Sequence, residues 1–384
     1  MTYARARLLL GMFGVGTIVL ASAALLWLGI PLDVLPGSAS WSSNDFTSLL
    51  MLVGILIAAL FPLDFAGGFL LPNLWRPDSL SFGKFLAGWF RGAVSQAFLF
   101  TTISLFVLAW GRSAGLLGAM LAIGIVAFLL VSLQFPIARA VGGLRRLSTS
   151  DSTNVERAQA IVATWGWQSR PVAVLTHHDI GFTGGVVGLP GRETIVLPSA
   201  MLSSLSVDQL AIVIARRCEA IQSGSRTRGL ILAFAWVVAG FALSAILPGA
   251  GVHSVAALTM TCLGFTLWTF AGLLTLPTLS RQASHAIDGK LVRSGIAFDD
   301  FERTLRTLDT WQDDEPRRSA LIETIFHPVP SVENRRASVT VSSPVAWHAA
   351  RMTLFVSWAC MGMLVRAVHC NVGRPELWVL LPTD

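Results

Sequence analysis

The sequence predicts a mainly α polytopic membrane protein, with about seven transmembrane helices and a cytoplasmic α+β domain built from two inserted segments. Three observations carry that expectation. The 384 residues are 53% hydrophobic and only 13% charged, with a mean hydropathy of +0.65, whereas soluble proteins carry about 25% charged residues. Apolar runs of bilayer-crossing length recur along the chain. Two polar intervals interrupt them, each too small to bury a good core alone, so they are expected to pack together beneath the membrane.

Taken in order, residues 8–28, 46–63, 93–110 and 114–135 each read as a span, and together they form an N-terminal membrane region over 1–135. The second run contains Pro62. Between the second and third, residues 64–91 read as a re-entrant or interfacial stretch, with Trp75, Phe82, Trp89 and Phe90 suited to the head-group belt. The first polar segment, 136–229, opens with a helix over 151–165 that Asp151 and Ser152 can cap; Val155, Ala158, Ile161 and Val162 share one face. A short strand over 171–176 follows, then a glycine-rich hairpin over 182–191 and a strand over 193–197. Ser206 caps a helix over 207–222.

Two spans, 230–247 and 255–276, occupy the region 230–277. The second is expected to run on as a helix over 280–295, kinked near Pro277. The second polar segment, 278–345, adds a helix over 299–308, a charged turn over 311–318 and a short helix over 321–326 before His327-Pro328. A seventh span over 346–368 contains His348, Arg351 and Arg366, the arginines lying near enough to its ends to snorkel. It leads into an outer tail within the region 346–384.

Charge decides orientation. With the N-terminus inside, all but Arg112, Arg366 and Arg374 of the 28 Lys and Arg fall in inner segments. By the positive-inside rule the N-terminus is cytoplasmic and the C-terminus outside. The net charge of +6 is therefore a membrane-surface signal and not a nucleic-acid one, since no basic cluster interleaves with aromatics. The first apolar run is too long for a cleaved signal peptide. Four cysteines make no disulfide framework and read as small apolar packers. The first six spans hold essentially no charge, which argues against a transport path.

Three motifs carry a family resemblance over roughly 140–340. The first is the glycine-rich hairpin and strand, 182–197. The second is the leucine- and alanine-rich approach through 199–215. The third is the late run His327-Pro328-Val329-Pro330-Ser331-Val332-Glu333-Asn334-Arg335. In order and spacing the chain resembles the integral-membrane zinc metallopeptidases of the HtpX and prenyl-protein (CAAX) endopeptidase type. The resemblance implies a metallopeptidase-like cytoplasmic domain, a bacterial inner membrane location, and a hairpin that lies alongside an extended substrate.

The same alignment removes the chemistry. The family's H-E-x-x-H places two imidazoles one turn apart on zinc, with the Glu activating its water. Here the first His and the Glu correspond to Arg216 and Arg217, and the second His to Ala220. The third ligand, a Glu four residues before an Asp, corresponds to Ser284, while Asp288 keeps the Asp. Guanidinium groups stay protonated and offer no lone pair. No cofactor and no metal are expected, and no catalytic residue.

Other residues offer weak substitutes. Glu219 and His285 lie one position from the family's ligands, which on a helix turns a side chain about 100° away. Cys218 beside two arginines reads as a packed thiol more readily than a nucleophile. His177-His178-Asp179 reads as surface loop. Arg216 or Arg217 is expected to pair with Asp288 or Glu219, since a charge on an apolar helix is costly unless paired.

The expected function is that of a catalytically inactive scaffold or accessory subunit of a larger membrane complex. Its partners would be other integral membrane subunits and lipids, with Gly184, Gly185, Arg216, Arg217 and Asp288 as partner-binding candidates. The hairpin edge would take an extended peptide by strand addition. The alternatives are a regulatory decoy that holds an active protease's substrates or partners, and an active protease with a non-standard site.

Overall fold

The computed structural model describes residues 2–75, 80–176, 182–312, 315–337, 345–368 and 371–377. Five helices among these residues are long and apolar enough to cross a membrane. Helix α1 (Tyr3–Leu28) starts where the Thr2 hydroxyl accepts from the Arg5 amide, and stops at Gly29 in the left-handed conformation. After the short α2 (Ile30–Val34), α3 (Ser43–Phe65) opens with a reciprocal Ser42/Asp45 capping box. Pro62 sits inside α3 without ending it. The helix widens into a π turn over Ala66–Leu70 and continues as α4 (Leu71–Trp75).

The sequence suggested a re-entrant or interfacial stretch over 64–91, and the described residues there do not form a re-entrant loop. Residues 64–75 are the end of one long helix and 82–91 the start of the next, α5 (Phe82–Ser132). Their aromatics pack on one another, Phe61 meeting Trp89 edge-on at 4.9 Å and Phe65 stacking on Phe69 at 5.4 Å. Ala114 and Gly115 leave helical geometry within α5, Gly115 at φ 62°, and there the chain folds back. The third and fourth spans are therefore the two arms of α5.

Helices α10 (Ser225–Ala245) and α11 (Val255–Arg293) complete the long rods. The first 23 residues of α11 would rise roughly 34 Å, a full bilayer core. The sequence expects the span to end near Pro277, and beyond it α11 joins the polar domain, with Ile287 and Leu291 in its core.

Contacts define two ends of this bundle. At one, Arg5 reaches Glu315 at 3.1 Å, and Gln134, first residue of α6 (Gln134–Gly142), accepts from the Gly188 amide at 3.2 Å. At the other, Arg112 ties three connections together, donating to Asp45 at 2.9 Å, to the His253 carbonyl at 2.8 Å and to the Ser38 carbonyl at 3.1 Å.

The seventh span is corrected. Residues 346–368 form α15 (Ala349–Val356), a 3-10 turn over Ser357–Cys360, a left-handed Met361 and α16 (Leu364–Ala367). The segment begins at the domain end, where the Trp347 amide donates to the Ser225 carbonyl at 3.1 Å. It dips among the rods, Trp358 packing on Phe100 at 5.0 Å and Ser104 bonding to Met361. It then returns to the same end, where buried Arg366 pairs with Asp64 and buried Arg7 donates to the Val372 carbonyl at 3.0 Å. Arg366 does not snorkel, and the described C-terminal residues share an end with the N-terminus.

The cause of the misreading is physical. An apolar run signals burial, and this one is buried in protein, where irregular backbone is tolerated at membrane depth. Gly68 makes the return possible: a Cβ there would lie 2.1 Å from the Gly373 carbonyl oxygen.

The polar domain carries a four-stranded sheet, β1 (Leu144–Arg146), β2 (Val172–Leu175), β3 (Gly185–Val187) and β4 (Thr194–Pro198), in the order β1-β2-β4-β3. β2 and β4 run parallel; the outer pairings are antiparallel. The sequence did not mark β1, a three-residue strand. Helix α7 (Thr149–Thr164) is capped by Ser148, not by Asp151 or Ser152 as expected. α8 (Ser199–Ser204) leads into α9 (Val207–Gln222), with Ser206 and Gln209 in a capping box.

From the second segment come α12 (Phe298–Gln312), α13 (Ala320–Phe326) and α14 (Val332–Ala337). α12 runs through Trp311, which the sequence had placed in a turn. Val155, Val174, Ile195 and Val213 share one core with Ile287, Leu291, Phe301 and Val332. The two segments do pack into a single domain.

Candidate functional site

The site sits where α9 crosses the domain part of α11. α9 is nearly all buried because its polar positions face inward as well as its apolar ones: Arg216 is 2% and Arg217 1% exposed. A buried guanidinium needs a partner. Arg216 Nε donates to Asp288 Oδ1 at 2.8 Å. From α14, Arg335 grips the same carboxylate as a fork, Nε to Oδ2 at 2.7 Å and Nη2 to Oδ1 at 3.1 Å. Asp288 is wholly buried between them. Burial alone would push its carboxyl up, but Arg216 and Arg335 outweigh it and hold the group below the usual carboxylate range.

Arg217 turns the other way. Its guanidinium donates to the Thr183 carbonyl on the approach to β3, and the Thr183 hydroxyl accepts from Gln312 Nε2 at 3.4 Å. Two adjacent arginines therefore bridge α9 to α11 on one side and to the hairpin on the other. Ala220, at the position matched to the second ligand, is fully buried and brings only a methyl. Ser284, matched to the third, is buried and gives its hydroxyl hydrogen to the Ser280 carbonyl at 3.2 Å.

A zinc ion does not fit this donor set. A metal needs three or four lone-pair donors converging at about 2.0–2.3 Å. The four matched positions offer two cations, a methyl and a hydroxyl whose proton is committed to backbone.

Among the described residues, no three His, Cys, Asp or Glu side chains converge as a metal site would need. Glu219 turns to Trp167, accepting from Nε1 at 2.8 Å. His285 is half-buried, and desolvation keeps its pKa below that of a free imidazole. Burial pushes the Cys218 thiol up to about 11, against the opposing charges of Arg170 and Arg217. That leaves a protonated thiol and not a nucleophile. His177, His178 and Asp179 lie outside the described residues.

The hairpin is closed as well. Gly184 (φ 87°) lies so near β4 that a Cβ would sit 2.2 Å from the Val196 carbonyl oxygen, and Gly185 pairs with Val196. Residues 182–187 are all buried, so β3 offers no open edge for strand addition. All five partner-binding candidates, Gly184, Gly185, Arg216, Arg217 and Asp288, are interior. Arg335 was not among the residues the sequence singled out. The signal for it was present, since it ends the late His-Pro…Glu-x-Arg element, but nothing in one sequence says which carboxylate it meets.

No protein-family model matches the chain, and no curated protein matches it by sequence. Among solved structures, the crystal structure of S. mikatae Ste24p is similar, with a TM-score of 0.63 at 14% identity. The match covers 82% of this chain and 79% of that one. That share exceeds the span 140–340, so the likeness of fold extends from the domain into the membrane helices. The chain has a Ste24p-like fold.

Proposed function

We propose that this protein is a catalytically inactive relative of the membrane metallopeptidases that serves as a scaffold or accessory subunit of a larger membrane complex. The observation that carries the reading is the Arg216–Asp288–Arg335 cluster. Where the family resemblance implies a zinc ion joining two helices, a buried carboxylate held by two guanidiniums joins them instead. An ion pair is a cross-link without chemistry. Arg217 likewise fills the space beside the hairpin where substrate backbone would lie.

With the cleft shut, partner contact falls to the outer faces of the bundle and domain. Large apolar side chains stand exposed along α1, α3 and α5, among them Phe13, Trp27, Phe98 and Leu117. They suit lipid or neighbouring helices equally.

The same proposal places the domain end in the cytoplasm of a bacterial inner membrane. The returning C-terminal segment strengthens the charge argument for it. Arg366 and Arg374 join the domain end, and Arg112 is then the one Lys or Arg at the far end among the described residues.

The test is mild-detergent extraction from the native membrane followed by mass spectrometry of the intact assembly. A partner membrane protein in fixed ratio is expected. A solitary, monodisperse chain would contradict the scaffold role.

A further inference from the structure

Apart from the arginine cluster, a cavity of about 360 Å³ opens where α1, α11 and the returning C-terminal segment meet the domain. That volume lies in the range of small-ligand sites. Met12 and Val15 line it from α1, Phe270 and Leu273 from α11, Phe326 from α13 and Leu354 from α15. Among the described lining side chains only Arg351 is polar. Met12 and Leu274, on facing walls, are 41% and 42% exposed, so the gap between α1 and α11 opens sideways toward lipid. Pro277, near which the sequence expects α11 to leave the membrane, also lines the cavity.

The mouth is cationic. His327 lies between two lining residues, Phe326 and Pro328. Burial, then the charges of Arg318, Arg351 and Arg281, push its imidazole down to about 3, so it is neutral at cellular pH. Three arginines thus act on one point beside the cavity. Glu323 is a carboxylate near one of them: its charge reaches Arg281, and it accepts from Asn334 Nδ2 at 2.9 Å. Arg351 brings a cation into the wall, and the rest of the described lining is hydrocarbon. A basic pocket between membrane helices on the inner side has the character of an anionic head-group site.

We propose that this cavity holds an anionic phospholipid, one acyl chain between α1 and α11 and the head-group phosphate against Arg351, with Arg281 and Arg318 supplying the surrounding field. A zwitterionic lipid would fill the groove equally well but would gain little from three guanidiniums. The occupant is drawn from the bilayer the protein sits in, through the lateral gap. The proposal stands apart from whether the α9–α11 site is catalytic.

The test is retention of lipid by the full-length protein in nanodiscs of phosphatidylglycerol and phosphatidylcholine, read by native mass spectrometry after release. Selective retention of phosphatidylglycerol is expected. Arg351→Gln should weaken it about fivefold, the loss expected of one cation at an anionic surface, and leave phosphatidylcholine unchanged. Val15→Trp, on the partly exposed wall, should block retention by filling the groove, and it provides the test if Arg351→Gln fails to fold. Equal retention of the two lipids would overturn the proposal, as would phosphatidylglycerol binding indifferent to a folded variant.

Discussion

Arg216 and Asp288 stand 72 positions apart in sequence and meet at 2.8 Å in the interior, Nε to Oδ1. Arg335 closes on the other face of the same carboxylate at 2.7 Å. The three residues tie α9, α11 and α14 at the point where the domain's two segments join. A buried ion cluster is a poor source of net stability compared with apolar packing, but breaking it is costly.

That asymmetry sets the first expectation. Asp288→Ala leaves two buried guanidiniums facing each other and should destabilise the domain by about 3–5 kcal/mol. Replacing all three, Arg216→Met with Asp288→Leu and Arg335→Met, should cost far less. Denaturant unfolding in detergent, followed by the fluorescence of Trp165 and Trp167, separates the two cases.

Acid should act through the same carboxylate. Its folded-state pKa lies below the ordinary aspartate value of 3.8. The unfolded chain therefore binds the proton first as pH drops. The contribution is fully present above the unfolded value and is lost as pH falls through the lower folded one. Domain stability should hold to about pH 5 and then decline, and Asp288→Asn should flatten that decline. An unchanged acid limb in Asp288→Asn would remove Asp288 from the account.

The topology makes a separate demand. Single cysteines in place of Thr2 and Arg374, in a chain stripped of its native cysteines, should react with a membrane-impermeant thiol reagent from one side. Gly37→Cys, in the far-end connection, should react from the other. Labelling of Arg374→Cys together with Gly37→Cys would restore the seventh crossing.

The metal site should be recoverable if the body is that of a metallopeptidase. A variant with Arg216→His, Arg217→Glu, Ala220→His and Ser284→Glu places three ligands and a base at the matched positions. It should take up about one zinc per chain, measured by elemental analysis after dialysis. Uptake as low as in the parent would mean that α9 and α11 are not related as the resemblance implies.

Legibility in the sequence followed the range of the interactions. The α9 cap at Ser206 and the β3–β4 hairpin were readable because turn chemistry and hydrophobic period act locally. A charge among buried apolar positions announced that Arg216 or Arg217 needed a partner, and Asp288 was one of two carboxylates named for it. Arg335 was not readable as the second clamp, since its approach depends on how α14 docks. Residues 346–368 misled for the opposite reason: lipid and protein interior select the same side chains, and only the Arg366–Asp64 pair at the returning end tells them apart. The Gly184–Gly185 hairpin was recognisable as a hairpin, but its burial depends on packing that no spacing reports.

Zinc content of the unaltered protein, purified without chelator and dialysed against trace zinc, bears most directly on the central claim. A chain whose matched positions carry Arg216, Arg217, Ala220 and Ser284 should retain well under about 0.1 zinc per molecule, against about one for a three-ligand site. One tightly held zinc per chain, released by a chelator together with a loss of domain stability, would contradict it.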